Sequence, residues 1–314
     1  MMRKETRILM LGGAKRVSLA RQLKAAGERI GTKVSIFSSE IIETVPIVVE
    51  GKVVKGLKWR DADIYKNLDE VIAQEKIDIV LPFVDGAIEV CSRLKERHPE
   101  VFIPVSDFDT AHQMFDKCEA AELFEKAGIA IPKTLSMESD EFPKIFKPRE
   151  GSASKGIKVI ENAEEQRLVT NPENYLIQEY IADREEYTVD CYVSMMSKKP
   201  LCTVPRLRIS TSGGEVDRTE TRRIPELISM SQHVLKTIGF QGPVTLQFIH
   251  DLKNGGYKLM EINPRLGGGV VCSIHAGADI AEMILRESMG EEAKEMNEWR
   301  DRALMVRYFS EVMF

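Results

Sequence analysis

Several things are scarce in this 314-residue chain. It has five cysteines (Cys91, Cys118, Cys191, Cys202 and Cys272), scattered, odd in number and with no CxxC pair. That excludes a disulfide framework and predicts reduced, mostly buried thiols in a cytoplasmic protein. No apolar run approaches the ~18 residues a membrane span needs. The opening MMRKETRILMLGG carries charge, but its apolar run is too short for a signal peptide and reads as a first strand. The net charge of −5 gives no general attraction for nucleic acid. Repeats and low-complexity linkers are missing, and no Ser-His-Asp set stands out. What remains is ordinary globular composition, 43% hydrophobic and 30% charged, with length for two or three packed units.

The first hundred residues alternate in character. RILML (Arg7–Leu11), KVSIF (Lys33–Phe37) and the β-branched IDIVLPF (Ile77–Phe83) read as strands. Segments of helical spacing lie at Lys15–Ile30, Tyr65–Glu75 and Ala87–His98. This order predicts a parallel, doubly wound α/β sheet. A helix from Asp109 through HQMFDKCEAAELFEKAG follows, ended by Gly128. Beyond it, short strands mixed with helices predict an α+β unit. The boundary is placed at residue 108, giving units 1–108 and 109–314. Gly12 and Gly13 allow a tight strand-to-helix turn, but the spacing is not G-x-G-x-x-G. No acid follows the second strand where a dinucleotide site would need one.

Three segments carry chemistry. In KIFKPREGSASKGIKVI (Lys144–Ile160), Lys147 ends a strand and Gly151, Ser152, Ser154 and Gly156 make a loop of small residues. Such a loop either closes backbone N–H groups over phosphate oxygens or is a plain hairpin. It lacks the Walker pattern. In YLIQEYIADREEYTVDCYV (Tyr175–Val193), Glu185, Glu186 and Asp190 form either a solvated edge or a hinge that reads a purine and its ribose. In YKLMEINPRLGGG (Tyr257–Gly269), Glu261, Asn263 and Arg265 fall on every second residue, hence on one strand face, and lead into three glycines. A carboxylate and an amide oxygen suit Mg²⁺ or Mn²⁺, and Arg265 suits a phosphate. The bare backbone that follows predicts close ligand approach. Gln247 on the preceding strand joins that face if the connecting loop has three residues and sets it opposite Asn263. A two-residue Asn-Gly turn puts it on the other face unless a bulge intervenes.

Taken together, these segments resemble the ATP-grasp superfamily, especially single units of carbamoyl phosphate synthase large subunits and biotin carboxylase, over nearly the whole chain. The resemblance implies an ATP-grasp fold with an N-terminal Rossmann-like pre-grasp domain, and ATP with Mg²⁺ as cofactors. It gives Lys117 and Lys147 to the ATP phosphates, 151–156 to a phosphate cover, the backbone of Glu179 and Ile181 to adenine, and Glu186 to the ribose. It gives Gln247, Glu261 and Asn263 to the metal and Arg265 to the transferred phosphoryl group. One grasp unit argues against complete carbamoyl phosphate synthesis. The implied activity is carboxylate–amine ligation through an acylphosphate, on a small-molecule acid and amine. The alternatives are a non-catalytic ATP-binding protein and an ATP-dependent carboxylase. Arg206 and Arg208 share a strand face and either hold the acid or are solvated. His275 either faces the site or lies in the core or on the surface. Homodimerisation is left open.

Overall fold

The computed structural model describes residues 4–151 and 155–314. Its first sheet contains β1 (Glu5–Leu11), β2 (Lys33–Glu40), β3 (Gly51–Lys55) and β4 (Ile79–Pro82), all parallel, in the order β3-β2-β1-β4. β1 is apolar on both faces, so it needs cover on both. Ile8 and Met10 pack with Leu19 and Leu23 of α1 (Val17–Arg29). Leu9 and Leu11 pack with Leu68 of α2 (Ile64–Glu75) and Ala87 of α3 (Asp85–Arg97). β2 runs to Glu40, past the Phe37 end read from the sequence, because Ser38 and Ser39 are buried in the ladder with β1 and β3.

The single helix expected from Asp109 is two helices, α4 (Phe108–His112) and α5 (Lys117–Lys126). Asp116 restarts the chain as a cap. Its carboxylate accepts the N–H groups of Cys118 at 2.8 Å and Glu119 at 3.2 Å, donors that a helix start otherwise leaves unpaired. This fixes Lys117 at the first position of α5.

A second sheet joins β5 (Lys144–Pro148), β6 (Lys158–Ile160) and β7 (Tyr175–Glu179), antiparallel, in the order β6-β5-β7, with α6 (Ala163–Arg167) following β6. The third sheet is larger. It comprises β8 (Arg184–Val193), β9 (Pro200–Ser212), β10 (Glu215–Thr221), β11 (Gly242–Asp251), β12 (Tyr257–Asn263) and β13 (Leu304–Val306), in the order β12-β11-β8-β9-β10-β13. One face of it is apolar. Val189, Leu246, Phe248 and Leu259 pack with Phe124 of α5 and with Leu227 and Val234 of α7 (Pro225–Ile238). The alternate residues of the same strands make the opposite, polar face, which is where the candidate site lies.

α8 (Val270–His275) and α9 (Ile280–Ser288) share a core with α1 and the first sheet, through Val270, Ile284 and Leu285 against Ile8 and Leu23. That packing brings the β1–α1 turn alongside the glycine run Gly267–Gly269. Among the described residues no helix is long and apolar enough to cross a membrane. The five cysteines are free, four of them buried and Cys118 partly so. Burial alone pushes the Cys91 thiol up.

Candidate active site

The β11–β12 hairpin sets the centre of the site. Asp251 ends β11 and accepts the N–H groups of Lys253 and Asn254, and the Gly255 N–H donates to the Asp251 carbonyl at 2.8 Å. The ladder resumes with His250 opposite Tyr257, then Ile249 opposite Lys258 and Phe248 opposite Leu259. Continued without a break, that register would set Gln247 against Met260. A register shift after Phe248 sets it against Glu261 instead, and Thr245 against Asn263. The loop is therefore neither of the two lengths weighed from the sequence, and Gln247 does not oppose Asn263. The face is nonetheless the expected one, because the bulge restores the phase a one-residue slip would invert.

On that face the side chains form two short hydrogen-bonded groups. Asn263 Nδ2 donates to Glu261 Oε1 at 2.7 Å, and Arg265 Nη2 donates to Asn263 Oδ1 at 3.2 Å. Arg208 Nη1 donates to Gln247 Oε1 at 3.1 Å, and its Nε lies 3.7 Å from Glu186. Arg265 Nε lies 3.5 Å from the Asp85 carboxylate, at the first turn of α3. The Nε groups of Arg208 and Arg265 are buried without a hydrogen-bond partner. Burial holds the Arg208 guanidinium below its usual range, against the pull of Glu186.

Arg206 and Arg208 do share a strand face, but their surroundings differ. Arg206 is 0% exposed. Its Nε and Nη2 grip both oxygens of buried Asp190 at 2.7 and 3.1 Å, and its Nη1 reaches Thr219 at 3.1 Å. Ser273 gives its hydroxyl to the same aspartate at 2.6 Å. A guanidinium so committed braces the sheet, and the reading of Arg206 as a grip for the acid is corrected accordingly. The glycine run explains itself in the same way. A Cβ on Gly269 would lie 2.5 Å from Arg206 Nη1, and one on Gly267 2.9 Å from Thr245 Oγ1. The bare backbone expected to admit a ligand admits the chain's own side chains.

The second sheet supplies the lysines. Lys147 is 8% exposed, and its Nζ donates to Gln178 Oε1 at 2.8 Å, while Gln178 donates to the Pro132 carbonyl at 3.0 Å. Burial pushes Lys147 down to about 8, opposed by Glu261 and reinforced by Lys117. Glu261 and Lys117 are thus both close enough to act on the Lys147 charge. Lys117, Gly151, Glu261 and Asn263 line one groove. Lys117 Nζ donates to the Gly151 carbonyl at 2.8 Å. Gly151 and Gly156 hold positive φ of 111° and 75°, which glycine alone adopts freely. Ser152 and Ser154 lie outside the described residues.

At the hinge, the Glu179 carboxylate accepts from Lys133 N–H at 2.8 Å and Lys258 Nζ at 2.6 Å. Its own N–H goes to the Lys133 carbonyl, and the Ile181 carbonyl accepts from Arg184 at 2.7 Å. Glu186 pairs with Arg184 at 3.1 Å. His275 is exposed at the end of α8.

Some of this was not read from the sequence. Gln178, a lone amide in the apolar YLIQE, was the available signal for a partner to Lys147. Glu40 was missed because β2 was ended early. Its carboxylate accepts from the Ser38 hydroxyl at 2.7 Å and from the Gly13 and Ala14 N–H groups, and burial raises it. The β1–α1 turn thus spends its free N–H groups on the chain's own acid.

Comparison with known proteins follows the same outline. Residues 171–312 match the family described as ATP-grasp in the biosynthetic pathway with Ter operon. The chain is 24% identical over 256 residues to the carbamoyl phosphate synthase large chain of Methanobrevibacter smithii, covering 71% of this chain and 24% of that one. It thus spans about a quarter of the length of that curated relative. The biotin carboxylase domain of Hydrogenobacter thermophilus 2-oxoglutarate carboxylase, solved with MgADP and bicarbonate, superposes with a TM-score of 0.74 at 17% identity, over 95% of this chain and 73% of that one. N5-carboxyaminoimidazole synthetase from Staphylococcus aureus gives 0.71 at 15% identity, over 96% and 80%. An L-amino acid ligase from Bacillus licheniformis gives 0.70 at 15%, over 92% and 75%. The chain has an ATP-grasp fold over nearly its whole length.

Proposed function

We propose that the protein is an ATP-dependent carboxylate–amine ligase. ATP phosphorylates an acid to an acylphosphate, an amine attacks, and an amide, ADP and phosphate result. The reading divides the chain at residue 108, with the first unit supplying Asp85 to the grasp unit's Arg265. The observation that carries it is the meeting of Lys117, Glu261 and Asn263 at one opening, with buried Lys147 within electrostatic reach of Lys117 and Glu261, beside Gln247, Arg208 and Arg265. Phosphoryl transfer asks a protein for positioning and charge neutralisation rather than for covalent partners, and this set supplies both.

Lys117 and Lys147 neutralise the nucleotide phosphates, and Glu186 meets the ribose. At the hinge the Ile181 carbonyl is already given to Arg184, so its N–H carries the backbone recognition of the purine. Mg²⁺ fits the donors present, since Gln247, Glu261 and Asn263 offer three hard oxygens on one face and leave the remaining positions to phosphates and water. Among the described residues no cluster of three or more His, Cys, Asp or Glu competes for it. The ion would supply charge neutralisation at the phosphates. Arg208 and Arg265 already donate to two of those oxygens, so they stand beside the charge that develops when the acid is phosphorylated.

A screen of acids and amines for MgATP-dependent ADP release, with mass spectrometry of the products, tests the reading. It predicts ADP release that requires an acid, and a condensed product that requires both acid and amine. Turnover that needs bicarbonate and no amine would identify a carboxylase. MgATP binding without turnover for any pair would identify a nucleotide-binding protein.

A further inference from the structure

Next to the transfer end lies a second charged arrangement, built from three distant parts of the chain. Glu215 opens β10. Its Oε1 accepts from Arg16 Nη2 at 3.1 Å, and its Oε2 accepts from Arg16 Nη1 at 3.3 Å and Arg307 Nη1 at 2.6 Å. Arg16 comes from the β1–α1 turn and Arg307 from the residue after β13. The floor is Gly268, whose carbonyl takes Arg307 Nη2 at 2.6 Å. A Cβ there would lie 3.1 Å from both guanidiniums.

We infer that Arg16 and Arg307 form a binding site for a second anionic group, a carboxylate or a phosphate, on the acid substrate, and that Glu215 is its internal stand-in. Naming the acid substrate as the owner of that anion rests on the ligase reading; the anion site itself does not. Two guanidiniums converging on one carboxylate are a receptor for a planar or tetrahedral anion. The resident carboxylate is replaceable. It is 44% exposed, so an anion from solution can reach the same two guanidiniums. It hangs from the two-residue turn Gly213–Gly214, both at positive φ, and a Cβ on Gly213 would touch nothing within 4 Å. The turn is held on one side only, by Arg208 Nη2 donating to the Gly214 carbonyl at 3.4 Å. The two arginines hold the Glu215 carboxyl at about 2, so it is fully ionised at neutral pH. A cleft of about 100 Å³ runs from Arg16 and Glu215 to Arg208, Gln247 and Arg265. A substrate with anions at both ends can therefore present one to the transfer residues and lodge the other here.

The test titrates the full chain without nucleotide, at fixed ionic strength, with inorganic phosphate, glutarate and butanoate, reading affinity by calorimetry. An intramolecular carboxylate competes at an effective concentration in the millimolar range. Removing it in Glu215→Gln, or in Glu215→Ala, should therefore tighten phosphate or glutarate by about tenfold or more. Adding Arg16→Gln or Arg307→Gln should abolish that gain, and butanoate should gain little. A gain for phosphate alone assigns a phosphorylated acid, and a gain for glutarate a dicarboxylate. The inference is overturned if folded Glu215 variants bind no anion more tightly than wild type, if the gain survives loss of either arginine, or if butanoate gains as much as glutarate. MgADP titration separates the two readings. Anion binding without MgADP binding sinks the ligase and keeps the subsite, and the reverse result sinks only the subsite.

Discussion

At Lys147, burial competes with the proposed contact to nucleotide phosphate. The ammonium is held at about 8 by desolvation, although Glu261 favours its charge. An unfolded lysine titrates at about 10.4, so between about pH 8 and about pH 10.4 the unfolded chain binds the extra proton and stability rises with pH. Below about 8 both states are charged and the burial cost is present in full; Lys147→Met removes it. Nucleotide phosphates need the charged form. MgATP affinity should therefore fall as pH rises through about 8 in the wild type and stay flat in Lys147→Met. Calorimetry on both sides of that pH checks this, and an equal decline in the two proteins would contradict it. Arg206 tests a different role. Arg206→Met strands Asp190 in the core and should cost about 3–5 kcal/mol in urea unfolding, most of it recovered when Asp190→Leu is added. Arg208→Met should spare stability and weaken the response to acid. Loss of that response in a fully stable Arg206→Met would restore Arg206 to the site. The sequence showed that these arginines share a face, since strand alternation is local. It could not show which of them met a buried aspartate, because Asp190 lies on a neighbouring strand.

Elements show the same division. The row Glu261, Asn263 and Arg265 was legible because it needs only a strand period of two. The position of Gln247 was not, because it depends on a five-residue loop and a bulge that no local pattern announced. Gly267–Gly269 was legible as a place where something comes close, but not as a bed for Thr245 and Arg206. That bed gives a prediction. Gly269 has a negative φ of −95°, so alanine is allowed by the backbone but not by the space. Gly269→Ala should destabilise the protein by about 1–3 kcal/mol through overpacking against a clamped guanidinium. Unchanged denaturant stability would show that Arg206 can yield.

Across the whole molecule, the alternating first hundred residues and the strand-rich remainder were enough to anticipate a parallel sheet followed by an α+β unit. They did not reveal β3, β10 or β13, which are short or polar and draw their stability from neighbours. Nor did they reveal that α1 and α9 fuse the cores of the first and third sheets, which is what carries Arg16 to the site. The central claim concerns this assembled site: the γ-phosphoryl group of ATP passes to a carboxylate oxygen. It is tested most directly with an acid substrate labelled with ¹⁸O in its carboxylate, turned over with MgATP and an amine, the phosphate being analysed by mass spectrometry. The account predicts one ¹⁸O carried into each phosphate released, since the acyl–oxygen bond breaks when the amine attacks. Condensed product formed with phosphate free of label would contradict it.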